Sequence, residues 1–341
     1  MMRNLVRMTS LSLVLTSFSL MAEASSSTIA TTTSTSTTIS TTQKNAAPAD
    51  KVMNLSELCM KSLSPFPGES DKKALQSACD KVQVMDNCTS TDGVPIFYYD
   101  RKGINKEPAN ILVFSLIHGD ETPAGSVGRF WMERLESIEP RNNWRVIPVL
   151  NPDGVKAKTR TNANKVDLNR NSPTKDWNDK AIPYWEKSTK KNPRRFPGLT
   201  SASEPETRCA VKAIDDFKPD FIVSIHTPLT VLDFDGPKVK PPKFDYLPWK
   251  SLGNYPGSLG RYMWFERKTP VLTMELKEDL PHSNQPLLKL QDIIGVLVSL
   301  EDMKKPKAEM KPIPKDAKAY PGKQDKTKPA KTYPTAAQEI H

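Results

Sequence analysis

Residues 110–121 read NILVFSLIHGDE, an unbroken apolar run that ends on a histidine and two acids. A strand buried on both faces has this pattern, and such strands belong to sheets covered by helices on both sides. In an open α/β sheet the residues just past the strand's C-terminal end face the ligand crevice. His118 and Glu121 are three residues apart, so one loop or helical turn can offer nitrogen and oxygen together. A solvated turn would account for the same residues, and the rest of the chain decides between the two.

Working outward, VQVM (82–85) and VPIFYYD (94–100) flank the turn-like TSTDG and predict a hairpin. Residues 122–137 predict a helix, with Pro123 in its first turn and a stripe of Val127, Phe130, Trp131 and Leu135. WRVIPVL (144–150), DFIVSI (220–225) and TPVLTMEL (269–276) predict three more strands. NPDG (151–154) reads as a tight turn after the first of these. Residues 203–217 open on Ser203-Glu-Pro-Glu206, a capping box with proline at the first helical position, and carry Ala210, Ala213, Ile214 and Phe217 as a stripe. Residues 286–303 predict a closing amphipathic helix. The alternation predicts an α/β fold, a three-layer α/β/α sandwich around a mixed, largely parallel central sheet.

The ends of the 341-residue chain are of another kind. Residues 1–24 look like a signal peptide, with Arg3 and Arg7 before the apolar LSLVLTSFSLM and Ala22-Glu23-Ala24 at the cleavage point. That run is too short to span a bilayer, and no other segment has transmembrane length. Residues 25–50 form a Ser/Thr-rich disordered linker, and 304–341 a disordered Lys/Pro-rich tail. The tail has ten lysines against four acids and so carries six of the ten net positive charges. Nucleic-acid binding would need those charges on a folded face, so it is not expected. The tail suits attraction to anionic envelope polymers, or simple solubilisation. The expected location is exported, periplasmic or secreted.

Of the four cysteines, Cys59, Cys79 and Cys88 cluster in a short N-terminal segment, residues 51–90, before the main domain at 91–303. One bridge is expected among these three, with Cys209 free and buried beside a helix stripe. No CxxC spacing exists, which argues against a zinc-thiolate site.

His226 repeats the context of His118: FSLIH and IVSIH each end a buried strand on a histidine. Two histidines and one glutamate are a known zinc set in hydrolytic sites, with a position left open for water. Glu275 ends PVLTME and could enter the same crevice as a proton acceptor, or pair with a lysine at a strand end. Between the histidines, Arg160 could donate to a developing oxyanion, while Asn169 and Arg170 suit a carboxylate.

Taken in order, HGDE, NPDG…R…DLNRN, SEPET, SIH and VLTMEL resemble the zinc metallocarboxypeptidase family. Details such as LDFDGP and YPGSLG look most like the bacterial murein peptide amidases, which cleave between γ-D-glutamate and meso-diaminopimelate in peptidoglycan peptides. The resemblance implies a metallocarboxypeptidase-like fold and one zinc ion on His118, Glu121 and His226. It implies Glu275 as general base and then acid, and Arg160 as the group that polarises the scissile carbonyl. Asn169 and Arg170 would hold a substrate carboxylate. Ser172 stands where an aromatic is common, which would widen the pocket. Cys88 stands where glycine is common, consistent with a local disulfide. Tyr255 lies near the place of a mobile tyrosine in digestive members.

Asp233 and Asp235 follow His226 in VLDFDGP. Asp235 is the preferred partner for the distal ammonium of diaminopimelate, and an Asp-Gly-Pro turn is the alternative. Competing functions are a carboxypeptidase on protein or peptide C-termini, a desuccinylase or aspartoacylase-like deacylase, and a cell-wall binding protein on a retired peptidase fold.

Overall fold

The structure, a computed structural model, describes residues 54–281 and 283–300. The expected signal peptide, linker and Lys/Pro tail lie outside the described residues. The chain builds helices α1 (Leu55–Leu63) and α2 (Lys72–Cys79), strands β1 (Gln83–Thr89), β2 (Pro95–Arg101) and β3 (Asn110–Ser115), and helix α3 (Thr122–Ser137). Then come β4 (Asn143–Ile147), α4 (Pro152–Ala157), α5 (Trp177–Lys187), α6 (Pro205–Phe217), β5 (Phe221–His226), β6 (Val231–Asp235), β7 (Val271–Glu275) and α7 (Gln285–Val298).

The seven strands form one sheet in the order β1-β2-β4-β3-β5-β7-β6. The inner four are mutually parallel, while β1, β2 and β6 run antiparallel to their neighbours. The continuous apolar run of β3 now has its reason. Ile111 and Val113 enter a core shared with α1, α2, α3 and α7, while Leu112 and Phe114 enter a second core on the opposite face with α6. Burying both faces leaves no position for a polar residue until the strand ends.

Two disulfides staple the fold. Cys59–Cys79 joins α1 to α2, within the expected trio, but Cys88 bonds Cys209 and so ties β1 to α6 across 121 residues. Cys209 is therefore buried as expected but not free, and the Cys88 bridge is not local. The α1–α2 pair is also fastened to α3 by Arg129, whose buried guanidinium donates to the carbonyls of Phe66, Pro67, Gly68 and Glu69.

Other local readings change as well. VLDFD (231–235) is strand β6, paired antiparallel with β7 over five residues, and the chain bends after it at Gly236-Pro237. NPDG opens the short helix α4, with Asn151 Oδ1 accepting from Gly154 N at 2.9 Å. The capping box of α6 does not form: Ser203 Oγ donates to Glu204 at 2.6 Å, and Glu206 instead accepts from Thr91 N at 2.8 Å. A tertiary partner outcompetes the local one. Among the described residues no helix is long and apolar enough to cross a membrane.

Candidate active site

Past β3 the chain turns sharply. Leu116 adopts a left-handed conformation at φ 50, unusual for a bulky side chain, and is held there by full burial and by Asn151 N donating to its carbonyl. Gly119 then passes so close to α4 that a Cβ on it would lie 2.0 Å from the Gly154 carbonyl carbon. Only glycine allows this contact, which locks HGDE against NPDG. Glu121 is the residue immediately before α3, with Pro123 in the first turn, and its side chain makes no capping bond. Its carboxylate is free to point into the crevice.

There it meets both histidines. His118 Nδ1 lies 2.8 Å from Glu121 Oε1, and His226 Nδ1 lies 2.9 Å from Glu121 Oε2 and 3.1 Å from His118 Nδ1. All three side chains are buried. The outer ring nitrogens are already engaged. His118 Nε2 donates to Asp167 Oδ1 at 3.1 Å, and His226 Nε2 is 2.8 Å from Ser224 Oγ. An ionised carboxylate can only accept, so the proton of neutral His118 sits on Nε2 and its Nδ1 lone pair points inward.

The inward lone pair of His118 Nδ1 thus faces a Glu121 carboxylate oxygen at 2.8 Å, with His226 Nδ1 beside both, and lone pair against carboxylate is repulsive. A cation at their centre resolves this, and two imidazoles with one carboxylate are a zinc set. Zinc bonds of about 2.0–2.2 Å at tetrahedral angles place neighbouring donors about 3.3–3.5 Å apart. The observed 2.8–3.1 Å is close to that, with the donors drawn slightly inward. The residues fit the ion. The local electrostatics agree: burial and Arg160 pull His118 down, yet Glu121 and Asp167 outweigh them and hold its pKa above the ordinary value. Burial pushes Glu121 up, and the two imidazoles outweigh it and hold the carboxyl far below its usual range. The cluster is built around positive charge.

The sheet supplies the opposite wall. The β5–β7 register pairs His226 with Glu275, and the β7–β6 register pairs Thr273 with Asp233. Alternation then puts Ser224, His226, Thr273, Glu275, Asp233 and Asp235 on one face, and all six line a cavity of about 470 Å³. Glu275 Oε2 accepts from Leu229 N at 3.3 Å and has no ion pair among the described residues, so the lysine pairing is not realised. Asp235 accepts from Asn254 Nδ2 at 2.9 Å.

Arg160, Asn169 and Arg170 line the same cavity. Arg160 is held by Asp167 at 3.0 Å and lies 3.4 Å from Glu121. Asn169 uses its Oδ1 to accept from Leu259 N at 3.0 Å, which leaves its amide NH₂ to donate elsewhere. Arg170 is buried with Nε unpartnered, and its guanidinium lies 4.6 Å from the Tyr255 ring centroid. Tyr255 is pinned: its hydroxyl donates to Leu252 O at 2.9 Å and its ring lies 5.4 Å from Tyr184. Gly257, two residues on, has φ 75 and would put a Cβ 1.9 Å from Arg170 O, so the Tyr255 loop packs directly on DLNRN.

Every residue given a metal, catalytic or substrate-binding role from the sequence therefore lines one cavity, whereas Ser172 does not. Asp120, between the two first ligand candidates in sequence, accepts from Arg194 Nη2 at 2.8 Å, and it is Asp167 that stands behind His118. Asp167 opens DLNRN, but its link to a histidine 49 residues earlier left no local signal.

The residue pattern of the zinc carboxypeptidase family (Peptidase_M14) matches residues 84–237. Murein peptide amidase A of Vibrio campbellii is 31% identical over 195 residues, covering 54% of this chain and 75% of that protein. The chain belongs to the zinc carboxypeptidase family. It is a zinc metallopeptidase with the family's mixed sheet. Murein peptide amidase A of Escherichia coli K12 is 30% identical over 143 residues, 41% of this chain, and the match spans 57% of that relative's length. Among solved structures of the fold, thrombin activatable fibrinolysis inhibitor aligns with a TM-score of 0.52 at 16% identity, covering 67% of this chain and 72% of that one. Carboxypeptidase A of Helicoverpa armigera aligns at 0.50 and 17%, covering 70% and 78%.

Proposed function

We propose that this zinc carboxypeptidase family member is exported and hydrolyses peptidoglycan peptides at the bond between γ-D-glutamate and meso-diaminopimelate. The observation that carries the reading is the convergence of His118, Glu121 and His226 on one point, with Glu275 in register beside His226. The murein peptide amidases it resembles give the substrate class. Residues 1–24 and the two disulfides support an oxidising compartment outside the cytoplasm.

One zinc ion on His118, Glu121 and His226 would supply Lewis acidity and lower the pKa of the attacking water. Glu275, with no ion pair to hold it among the described residues, takes the proton of that water and returns it to the departing amine. Arg160 has donors left beyond its bond to Asp167 and offers them to the oxyanion. Asn169 NH₂ and the Arg170 guanidinium hold the carboxylate on the α-carbon of diaminopimelate. Asp235, with Asp233 beside it on the same strand face, draws the distal ammonium.

Mass spectrometry of defined muropeptides after incubation with the zinc-loaded mature protein tests this. Release of L-Ala-γ-D-Glu from the tripeptide is expected. Removal of a terminal D-Ala alone would replace the reading with a carboxypeptidase, and no product would favour a binding protein.

A further inference from the structure

The cavity carries more positive charge than the reactions above use. Arg160 is paired with Asp167 and Glu121, and Arg194 with Asp120. Arg170 and Arg195 line the same cavity and have no carboxylate within ion-pair distance among the described residues.

The Arg195 side chain is exposed, but its backbone is not on a wandering loop. It closes a short 3-10 turn, Pro193–Arg195, in which Asn192 Oδ1 accepts from Arg194 N at 2.9 Å. The preceding residue, Arg194, is anchored on Asp120, next to Glu121. The following residue, Phe196, accepts from Asp167 N at 2.8 Å and packs its ring 5.0 Å from Trp185. Trp185 Nε1 donates to Asn192 O at 2.8 Å, closing the loop on itself. Both neighbours of Arg195 are thus fastened to residues beside the zinc ligands, and the guanidinium between them is delivered to the cavity mouth.

Arg170 and Arg195 are close enough to repel. Burial first, then the charges of Arg160 and Arg195, lower the Arg170 pKa against the pull of Asp167. Two neighbouring guanidinium groups with no carboxylate in direct contact cost free energy that an anion bound between them recovers. The buried Nε of Arg170 also lacks a partner.

We propose that Arg195 binds a second carboxylate of the substrate, separate from the one held by Asn169 and Arg170. This rests on the murein-peptide reading. A γ-linked glutamyl–diaminopimelyl peptide offers that second carboxylate in two places. One is the free α-carboxylate of the glutamyl residue, which an ordinary α-linked peptide lacks. The other is the distal carboxylate of diaminopimelate. A peptide of neutral residues has only its C-terminal carboxylate, so Arg195 separates wall peptides from protein C-termini.

The test compares kcat/KM for three peptides with zinc-loaded wild type, R195Q and R195K. The peptides are L-Ala-γ-D-Glu-meso-diaminopimelate, its amide at the glutamyl α-carboxylate, and its amide at the distal diaminopimelate carboxylate. The wild type is expected to prefer the parent over one amide by about 10-fold to 100-fold, as for a charge-assisted hydrogen bond. In R195Q the parent drops by a similar factor and that ratio collapses towards one, while R195K recovers part of it. The amide that is discriminated against identifies the source. Wild-type kcat/KM in R195Q, or an equal loss on all three peptides, overturns the inference while the parent is still cleaved. If the wild type cleaves none of the three, the murein-peptide reading falls and this inference with it.

Discussion

Asp167 stands directly behind His118, with Oδ1 3.1 Å from the imidazole Nε2 and Oδ2 3.0 Å from Arg160 Nε. One buried carboxylate therefore sets the tautomer of the first proposed ligand and the direction of the proposed oxyanion donor. Partners of this kind typically contribute 10-fold to 100-fold in metal affinity. Asp167→Asn is expected to weaken zinc binding by about that factor, measured by chelator competition, and to lower kcat/KM further by releasing Arg160. Wild-type affinity in the variant would show that another group orients His118.

Removing the metal tests the ligand set as a whole. Dialysis against a chelator is expected to abolish peptide hydrolysis and to lower Tm, because a ligand at 1,000 times its Kd stabilises by about 4 kcal/mol. Zinc should restore both. His226→Ala should show neither response to zinc, and a zinc-dependent rise in its Tm would place the ion elsewhere.

The sequence made the parallel core legible because β3, β4 and β5 are apolar runs bounded by chemistry-bearing residues, and the hairpin and α3 had strong local signals. His226 was legible because it repeats the context of His118. What stayed hidden depends on long-range pairing. Strand β6 gives a weak strand signal because Asp233 and Asp235 face a polar cavity instead of apolar core, and only pairing with β7 makes it a strand. Cys209 found its partner across 121 residues, and Asp167 meets His118 across 49. The Ser203 cap lost to Thr91, brought in by the hairpin.

The two disulfides should differ in weight. In the chain-entropy account, closing 121 residues removes about 5 kcal/mol of unfolded-state freedom and closing 20 residues about 3 kcal/mol. Replacing Cys88 and Cys209 together by alanine should therefore lower the urea midpoint more than replacing Cys59 and Cys79. The reverse order would mean that the α1–α2 staple carries more of the native packing than the edge of the sheet.

Asp233 supplies a pH signature. Burial first, then the Asp235 charge, push its carboxyl up to about 6 from an ordinary 3.8. Between those values the folded chain holds a proton that the unfolded chain releases, so this group's contribution falls as pH rises and levels off above about 6. Asp233→Asn removes the penalty. Its stability relative to wild type should climb from about pH 4 to about pH 6 by up to about 3 kcal/mol, read from urea midpoints. A difference that does not change with pH would mean that Asp233 is not held protonated by its surroundings.

The proposed reaction turns on Glu275, which shares a strand register with His226 and has no ion pair among the described residues. The deciding measurement is kcat of Glu275→Gln on the diaminopimelate tripeptide, with bound zinc quantified in the same sample. A positioned general base contributes about 100-fold to 10,000-fold. A fall of that size with one zinc still bound is the predicted result. Undiminished turnover would contradict it and remove Glu275 from the chemistry.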